Sequence, residues 1–529
     1  MVILQNISYI HTDEDLLFDN INLTINKHDK TALIGNNGVG KSTLLKIIAG
    51  ILKPSGGTVT VESKPYYIPQ LFGQFNEHSI AHALKIKGKL NALKEILDGK
   101  INETNLTQLD DDWMIEERCQ EALTYWKLDG LDLTQKLGTL SGGQKTKIFL
   151  AGMFIHQPEL ILMDEPGNHL DVQNRHLLND FIRTTSSTLI VVSHDRKLLN
   201  MLHPVHELSR QGITVYGGNY NFYVAQKRIE SNALNENVHR KENALRKARE
   251  MERKTAEKKQ KRDVRGRKKH QKEGLPAVVM NALKNKSEKS TARIKDIHAE
   301  KVGSISRELH QLRKELPGVD KMKFDFNNSL LHRGKILVHV KNVNVGYDRK
   351  LLWEQPVNFM IRSGERIAVR GPNGSGKTTL IKTILGEIEP QSGFVRRADI
   401  KAVYIDQDYS LIDDQFTVLG QAQQFNSIPL QEHEIKARLN RFLFPKDYWD
   451  KPCGVLSGGE KMRLMLCSLN IANQAPDMII LDEPTNNLDI QNMEILTAAI
   501  SDYQGTLMVI SHDEYFLEQI NIKRTIDLT

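Results

Sequence analysis

A chain of 529 residues is too long for one hydrophobic core, so two to four domains are expected, and a hydrophobic share of 40% excludes a mainly disordered protein. No run of about 18 apolar residues occurs, and the N-terminus lacks the basic stretch, apolar core and cleavage site of an export signal, so a soluble, cytoplasmic protein is expected. Three cysteines, Cys119, Cys453 and Cys467, have no metal-cluster or disulfide-framework spacing, which fits a reducing compartment. The net charge of +7 is unevenly spread: residues 241 to 290 hold 18 Lys and Arg against 7 Asp and Glu, so the rest of the chain is net negative. Such a local excess fits either a polyanionic partner or a solvated charged helix.

In chain order, the apolar strand "TALI" runs into "GNNGVGKST" from Gly35 and then into the helical "TLLKIIAG". "YYIPQ" ends at Gln70. A segment rich in Leu and Ile near residues 88–113 predicts a short helical insertion, read either as a projection or as an enlarged helical subdomain. "LSGGQ" follows from Leu140, "LILMDEPGNHLD" ends at Asp171 and "VVSHD" ends at Asp195.

From about Tyr220 to Leu316 Gly and Pro almost vanish, and good helix formers dominate the first half. Ile294, Ile297, Ile305, Leu309, Leu312 and Leu316 in the second half recur at helical spacings. Two long antiparallel helices are expected over 219–318, each on the order of 60 to 75 Å. The stretch holding Arg265, Arg267, Lys268 and Lys269 and the apolar patch near 274–281 would form the tip. The bases of an RNA or the hairpin's own end could cover that patch.

Every motif then recurs. "RIAV" leads into "GPNGSGKTT" from Gly371, "AVYIDQ" ends at Gln407, and "LSGGE" starts at Leu456; "MIILDEPTNNLD" ends at Asp489 and "VISHD" at Asp513. Lys41 and Lys377 are 336 residues apart but Asp164 and Asp482 only 318, which puts the extra residues of the first copy in the 88–113 insertion. The internal repeat therefore defines two α/β units, 1–218 and 335–529, with the helical segment between them.

Each repeat has a phosphate loop, G-x-x-x-x-G-K-[ST], between a strand and a helix, where backbone N–H groups cradle phosphates. The residues are Gly35, Asn36, Asn37, Gly38, Val39, Gly40, Lys41, Ser42 and Thr43, and then Gly371, Pro372, Asn373, Gly374, Ser375, Gly376, Lys377, Thr378 and Thr379. The lysines would reach the terminal phosphates. Ser42, Gln70 and Asp164 in one repeat and Thr378, Gln407 and Asp482 in the other would hold Mg²⁺. Glu165 and Glu483, each the second acid of a pair that closes a run of four apolar residues, would polarise the attacking water, and His194 and His512 would contact the terminal phosphate. Ser141, Gly142 and Gly143, and Ser457, Gly458 and Gly459, open helices and form further anion sites.

Together these motifs resemble the ATP-binding-cassette family, and two cassettes in one chain, "EPGNHLD" and "EPTNNLD", and "YGGNYNFYVAQK" leading into a charged hairpin resemble its F group. The fold implied is two tandem P-loop ATPase domains joined by a long α-helical hairpin. The resemblance implies ATP shared between one cassette's phosphate loop and the other's "LSGG", in a monomer whose halves pair like a dimer, and two hydrolysing sites. It further implies a ribosome partner near the tRNA exit site, through rRNA and tRNA, as a translation factor or an antibiotic-resistance protein. Tyr347 matches the adenine-stacking position of the second cassette; Tyr9 or His11 would serve in the first. Gly167 departs from the usual Thr, and Glu460 from Gln144 of the first copy. A transporter ATPase subunit and a DNA-maintenance ATPase are the competing classes; the interdomain hairpin disfavours the first, its placement outside the cassettes and the lack of paired cysteines the second.

Overall fold

Runs of β-branched and aliphatic residues with no polar break can only be satisfied in a sheet covered on both faces, and the core strands of each repeat are of this kind. The computed structural model describes all residues except 12–15, 210, 274–295, 298, 314–331, 333, 348–349, 427–429, 473–474, 487 and 529, and gives backbone alone for 259, 262–263, 266–273, 347 and 350. In the first repeat β1 (Lys30–Ile34) leads to α1 (Lys41–Ile48), followed by β2 (Tyr66–Ile68), α2 (Gly142–His156), β3 (Leu160–Asp164), α3 (Val172–Thr184), β4 (Thr188–Val192), β5 (Val205–Ser209) and β6 (Gly212–Tyr216). The six strands lie in the order β2-β3-β4-β1-β5-β6, parallel except for the last pair. A separate antiparallel sheet, built from Val2–Ile10, Leu16–Ile25 and Gly56–Val61, shares one core with α1: Val2, Leu4, Ile25, Leu44 and Ile48 pack with Leu160, Leu162 and Val192.

After β6 comes α4 (Tyr220–Glu273), and the second repeat copies the first. It has β7 (Arg366–Arg370), α5 (Lys377–Leu385), β8 (Ala402–Ile405), α6 (Gly458–Ile471), β9 (Met478–Asp482), α7 (Ile490–Asp502), β10 (Thr506–Ile510) and β11 (Arg524–Asp527). Its sheet, β8-β9-β10-β7-β11, is parallel throughout. Every residue of β3, β4, β9 and β10 is buried, and the polar residues that follow them emerge together at the C-terminal ends of the strands.

The insertion of the first repeat forms two short helices, Lys87–Leu97 and Glu103–Leu109. Ala92, Leu93, Ile96 and Leu109 are buried, and Asp112 ties the pair to the next helix through Lys89 at 3.1 Å and Arg118 at 2.7 Å.

Residues 1–223 and 322–529 make one compact unit and 224–321 another. Tyr220, at the start of α4, is buried and belongs to the first unit. At about 1.5 Å per residue the 54 residues of α4 span roughly 80 Å. Within the second unit, a helix over 299–313 pairs with α4: Lys241 bonds Glu308, and Arg313 donates to Glu242 at 2.6 Å. Val238 and Leu309 are buried, whereas Ile297 is exposed despite its helical spacing. The expected apolar tip at 274–281, and the side chains of Arg267, Lys268 and Lys269, lie outside the described residues.

Candidate nucleotide sites

A strand must turn sharply into a helix whose first N–H groups are free, and glycines make that turn possible. Gly40 (φ 100°) and Gly376 (φ 86°) precede α1 and α5 in left-handed backbone. A Cβ on Gly40 would stand 2.7 Å from Leu17, and one on Gly376 2.3 Å from Leu352, so a side chain is excluded twice over. Lys41 folds back to donate to the carbonyls of Gly35 (2.7 Å) and Asn36 (3.1 Å); Lys377 does the same to Gly371 (2.8 Å) and Pro372 (3.1 Å). Both ammonium groups are held below the usual lysine range, chiefly by burial, with neighbouring carboxylates opposing.

In the first repeat a cavity of about 370 Å³ gathers Lys41, Ser42, Gln70, Asp164, Glu165 and His194. Asn37, Gly38, Gly40 and Thr43 line it, as does Ser457 from the opposite repeat. His11 is also in the wall and Tyr9 is not; the Tyr9 ring packs edge-on against His11 at 5.6 Å. In the second repeat Thr378 Oγ1 donates to Asp482 Oδ2 at 3.0 Å. Gln407 follows β8 with its side chain exposed, and Tyr347 lies in the short strand Gly346–Tyr347.

Glu165 and Glu483 adopt φ of 52° and 50°, which a non-glycine residue avoids unless its surroundings impose it. The constraint is visible: Glu165 N–H donates to Val192 O and Glu483 N–H to Ile510 O, each at 2.9 Å, fixing each glutamate to the end of the strand that leads to the histidine. His194 Nε2 lies 3.3 Å from Glu165 Oε1, and His512 Nε2 3.3 Å from Glu483 Oε1. Neither contact is aligned as a hydrogen bond, since both glutamate oxygens are buried without a partner. Burial pushes Glu165 up to about 8, opposed by Lys41, and Glu483 up to about 7, opposed by Arg175 and Lys377. The same burial pushes His194 down to about 3 and His512 down to about 4, so both imidazoles are neutral near pH 7. Asp164 and Asp482 are likewise raised by burial, and Asp164 Oδ1 has no partner. Buried acceptors aimed at a phosphate loop are the donor set that suits a hard divalent cation.

The two repeats meet at these sites. Asn37 N–H donates to Asp489 Oδ2 at 3.0 Å, and Asn373 Nδ2 donates to His169 O at 2.7 Å. A Cβ on Gly143 would stand 3.3 Å from Asn373 Nδ2, so the first "LSGG" helix approaches the second phosphate loop as Ser457 approaches the first. Ser141 and Ser457 cap α2 and α6 in reciprocal boxes: Ser141 N–H donates to Gln144 Oε1 (3.0 Å) and Ser457 N–H to Glu460 Oε2 (2.8 Å). Glu460 therefore performs the capping done by Gln144.

Several site residues escape a reading of motifs. Tyr67 and Tyr404 donate to the metal-type aspartates, at 3.2 Å to Asp164 and 3.0 Å to Asp482. Each stands three residues before the glutamine in its repeat, a signal that alignment of the two copies carries. Arg175 had no such signal, because the second copy has Met493 in its place.

The sequence pattern of the family described as ABC transporter matches residues 18–168 and 355–486. The chain is 30% identical to the ATP-binding protein Uup of Haemophilus influenzae, over 96% of this chain and 76% of that one. It is 29% identical to ABC transporter F family member 5 of Arabidopsis thaliana, over 99% and 74%. Among solved structures, one titled RNase-L Inhibitor superposes with a TM-score of 0.60 at 19% identity, over 98% of this chain and 87% of that one. Another, of an archaeal ribosome recycling factor with a ribosomal stalk protein, gives 0.59 at 19%, over 98% and 86%.

Proposed function

The chain belongs to the ATP-binding-cassette family and is an ATPase, and from that premise we propose that its two cassettes close on ATP at two shared sites to drive a ribosome-binding cycle. The observation that carries the shared-site reading is Ser457 in the wall of the first cavity, across from Lys41 and Glu165. Each phosphate loop would hold the triphosphate against the opposite "LSGG" helix, whose N-terminal N–H groups favour anions. Ser42, Gln70 and Asp164, and Thr378, Gln407 and Asp482, would hold Mg²⁺. Bound there, the cation would supply positive charge to offset the negative charge that develops on the phosphates.

Lys41 and Lys377, now on their own loop carbonyls, would exchange those bonds for phosphate oxygens. Glu165 and Glu483 would position the attacking water and His194 and His512 the terminal phosphate, each pair kept in register by the strand-end hydrogen bond. His11, which lines the first cavity, would meet the adenine there, and Tyr347 would do so in the second site. The basic α4 arm, with 15 Lys and Arg in residues 241 to 273, supports an RNA partner, whose phosphates attract such a surface at long range. No described helix is long and apolar enough to cross a membrane. The reading is a cytoplasmic factor acting on the ribosome near the tRNA exit site, in translation or in protection from a drug.

The experiment is co-sedimentation of the Glu165→Gln, Glu483→Gln double variant with ribosomes in ATP. Retention on ribosomes, with protein synthesis slowed, is expected. A double variant that stays free of ribosomes while binding ATP would refute the ribosomal part and leave the ATPase standing.

A further inference from the structure

The first cassette lends the second site more than its "LSGG" helix. Arg175 lies in the first turn of α3, just after Asp171. Its Nε donates to Leu170 O at 3.1 Å and its Nη1 to Asp195 Oδ2 at 3.2 Å, with both side chains mostly buried. Leu170 sits between two residues that face the other cassette: the His169 carbonyl accepts from Asn373 of the second phosphate loop, and the Asp171 charge acts on Lys377. Asp195 directly follows His194 of the first site and caps the short helix Arg196–Leu199 through Lys197 N–H at 2.9 Å. One guanidinium thus clamps the loop that serves the second site to the strand end that serves the first.

The counterpart of Arg175 is Met493, a buried side chain with no N–H donor. The loop that the second cassette lends to the first site, which reaches Asn37 through Asp489, has no such clamp from that position. Charge follows the same asymmetry: Arg175 is the foremost cation acting on Glu483, ahead of Lys377, whereas Glu165 feels Lys41 first.

We propose that Arg175 is a positioning residue for the second nucleotide site, tying it to the histidine-bearing strand end of the first, so that the two sites are unequal and the second depends on this bridge more than the first. This rests on the shared-site reading above.

The test uses the full chain with one site silenced at a time. In the Glu165→Gln background, which leaves the second site active, Arg175→Met is expected to lower kcat about tenfold with KM for ATP within about twofold. A fluorescent ATP analogue should also leave the second site several-fold faster. In the Glu483→Gln background, the loss of kcat is expected to be at least about fivefold smaller. Arg175→Lys should recover part of the second-site rate, because it keeps the charge but not the fork of two bonds. Asp195→Asn, which can still cap its helix, breaks the same bridge from the other end and must reproduce the asymmetry; it decides the matter if Arg175→Met does not fold. Equal losses at both sites, or no loss at either, would overturn the proposal. Ser141→Ala in the Glu165→Gln background separates the premises. If it leaves the second site untouched, the shared-site reading fails; if it slows that site while Arg175→Met does not, only the inference about Arg175 falls.

Discussion

The two nucleotide sites share a backbone and differ in what surrounds it. Phosphate-loop glycines, left-handed glutamates at 52° and 50°, strand-end hydrogen bonds of 2.9 Å and glutamate–histidine contacts of 3.3 Å recur almost without change. Around them the copies diverge. Thr485 Oγ1 lies 3.4 Å from Ser511 Oγ and ties the glutamate loop to the histidine strand, whereas Gly167 leaves that position bare. The charge of Arg175 acts on Glu483 of the second site, and its counterpart Met493 carries no charge to act on the first. Across the seam the first cassette presents Arg196 and Lys197, which pair with Glu494 (3.4 Å) and Glu514 of the second. The fold imposes the reacting geometry through hydrogen bonds that any compatible sequence can make, while the charges nearby are free to drift and make one site unlike its twin.

Silencing one site at a time measures that difference most directly. Glu165→Gln and Glu483→Gln should each cost their own site about 10² or more in rate, and the two residual activities, read by single-turnover hydrolysis, should differ from each other. Equal residual rates would remove the asymmetry.

The pH profile is the next sharpest test. Both carboxyls are raised, so each is fully ionised only above its folded value. With the second site alone active kcat/KM should rise through about pH 7, and with the first alone through about pH 8. Coincident limbs would contradict the difference. The same shifts work against stability. A buried carboxyl whose folded value is raised is favoured while protonated, and that contribution is lost as pH rises from the ordinary value near 4.5 toward 8. Glu165→Gln should therefore raise the melting temperature at pH 8 more than at pH 5.

Arg196→Ala removes a side chain that pairs with Glu494 and stacks 4.3 Å over Tyr515, and is expected to weaken ATP-dependent closure of the cassettes by about 1 kcal/mol, read by fluorescence between labelled halves. The smallest effect belongs to Gly167→Thr. A Cβ there meets nothing within 4 Å, so the variant should be neutral or stabilising, by about 0.4 to 1 kcal/mol in denaturant unfolding. Clear destabilisation would mean that the bare position has a role of its own.

Much of the site was legible because its chemistry is written in short, local words. A phosphate loop needs its glycines at fixed offsets, and an acidic pair after four apolar residues marks a strand end, so the duplicated motifs pointed to Lys41, Asp164, Glu165 and their partners. The duplicated tyrosines at 67 and 404 were equally available to an alignment of the halves. Which of Tyr9 and His11 lines the cavity was not, since the two stand two residues apart on one side of an alternating strand and its end, and only the structure puts His11 in the wall.

By itself the sequence determined two cassettes, their core strands, the helical insert and the basic helix between them, because periodicity, glycine spacing and charge are local properties of a chain. Only the tertiary structure brought Ser457 to the first cavity and Asn373 to His169, and set Arg175 between Leu170 and Asp195. Apart from the local Arg175–Leu170 bond, those contacts join residues twenty to several hundred positions apart, and a side chain's partner across such a distance depends on how the sheets and helices stack.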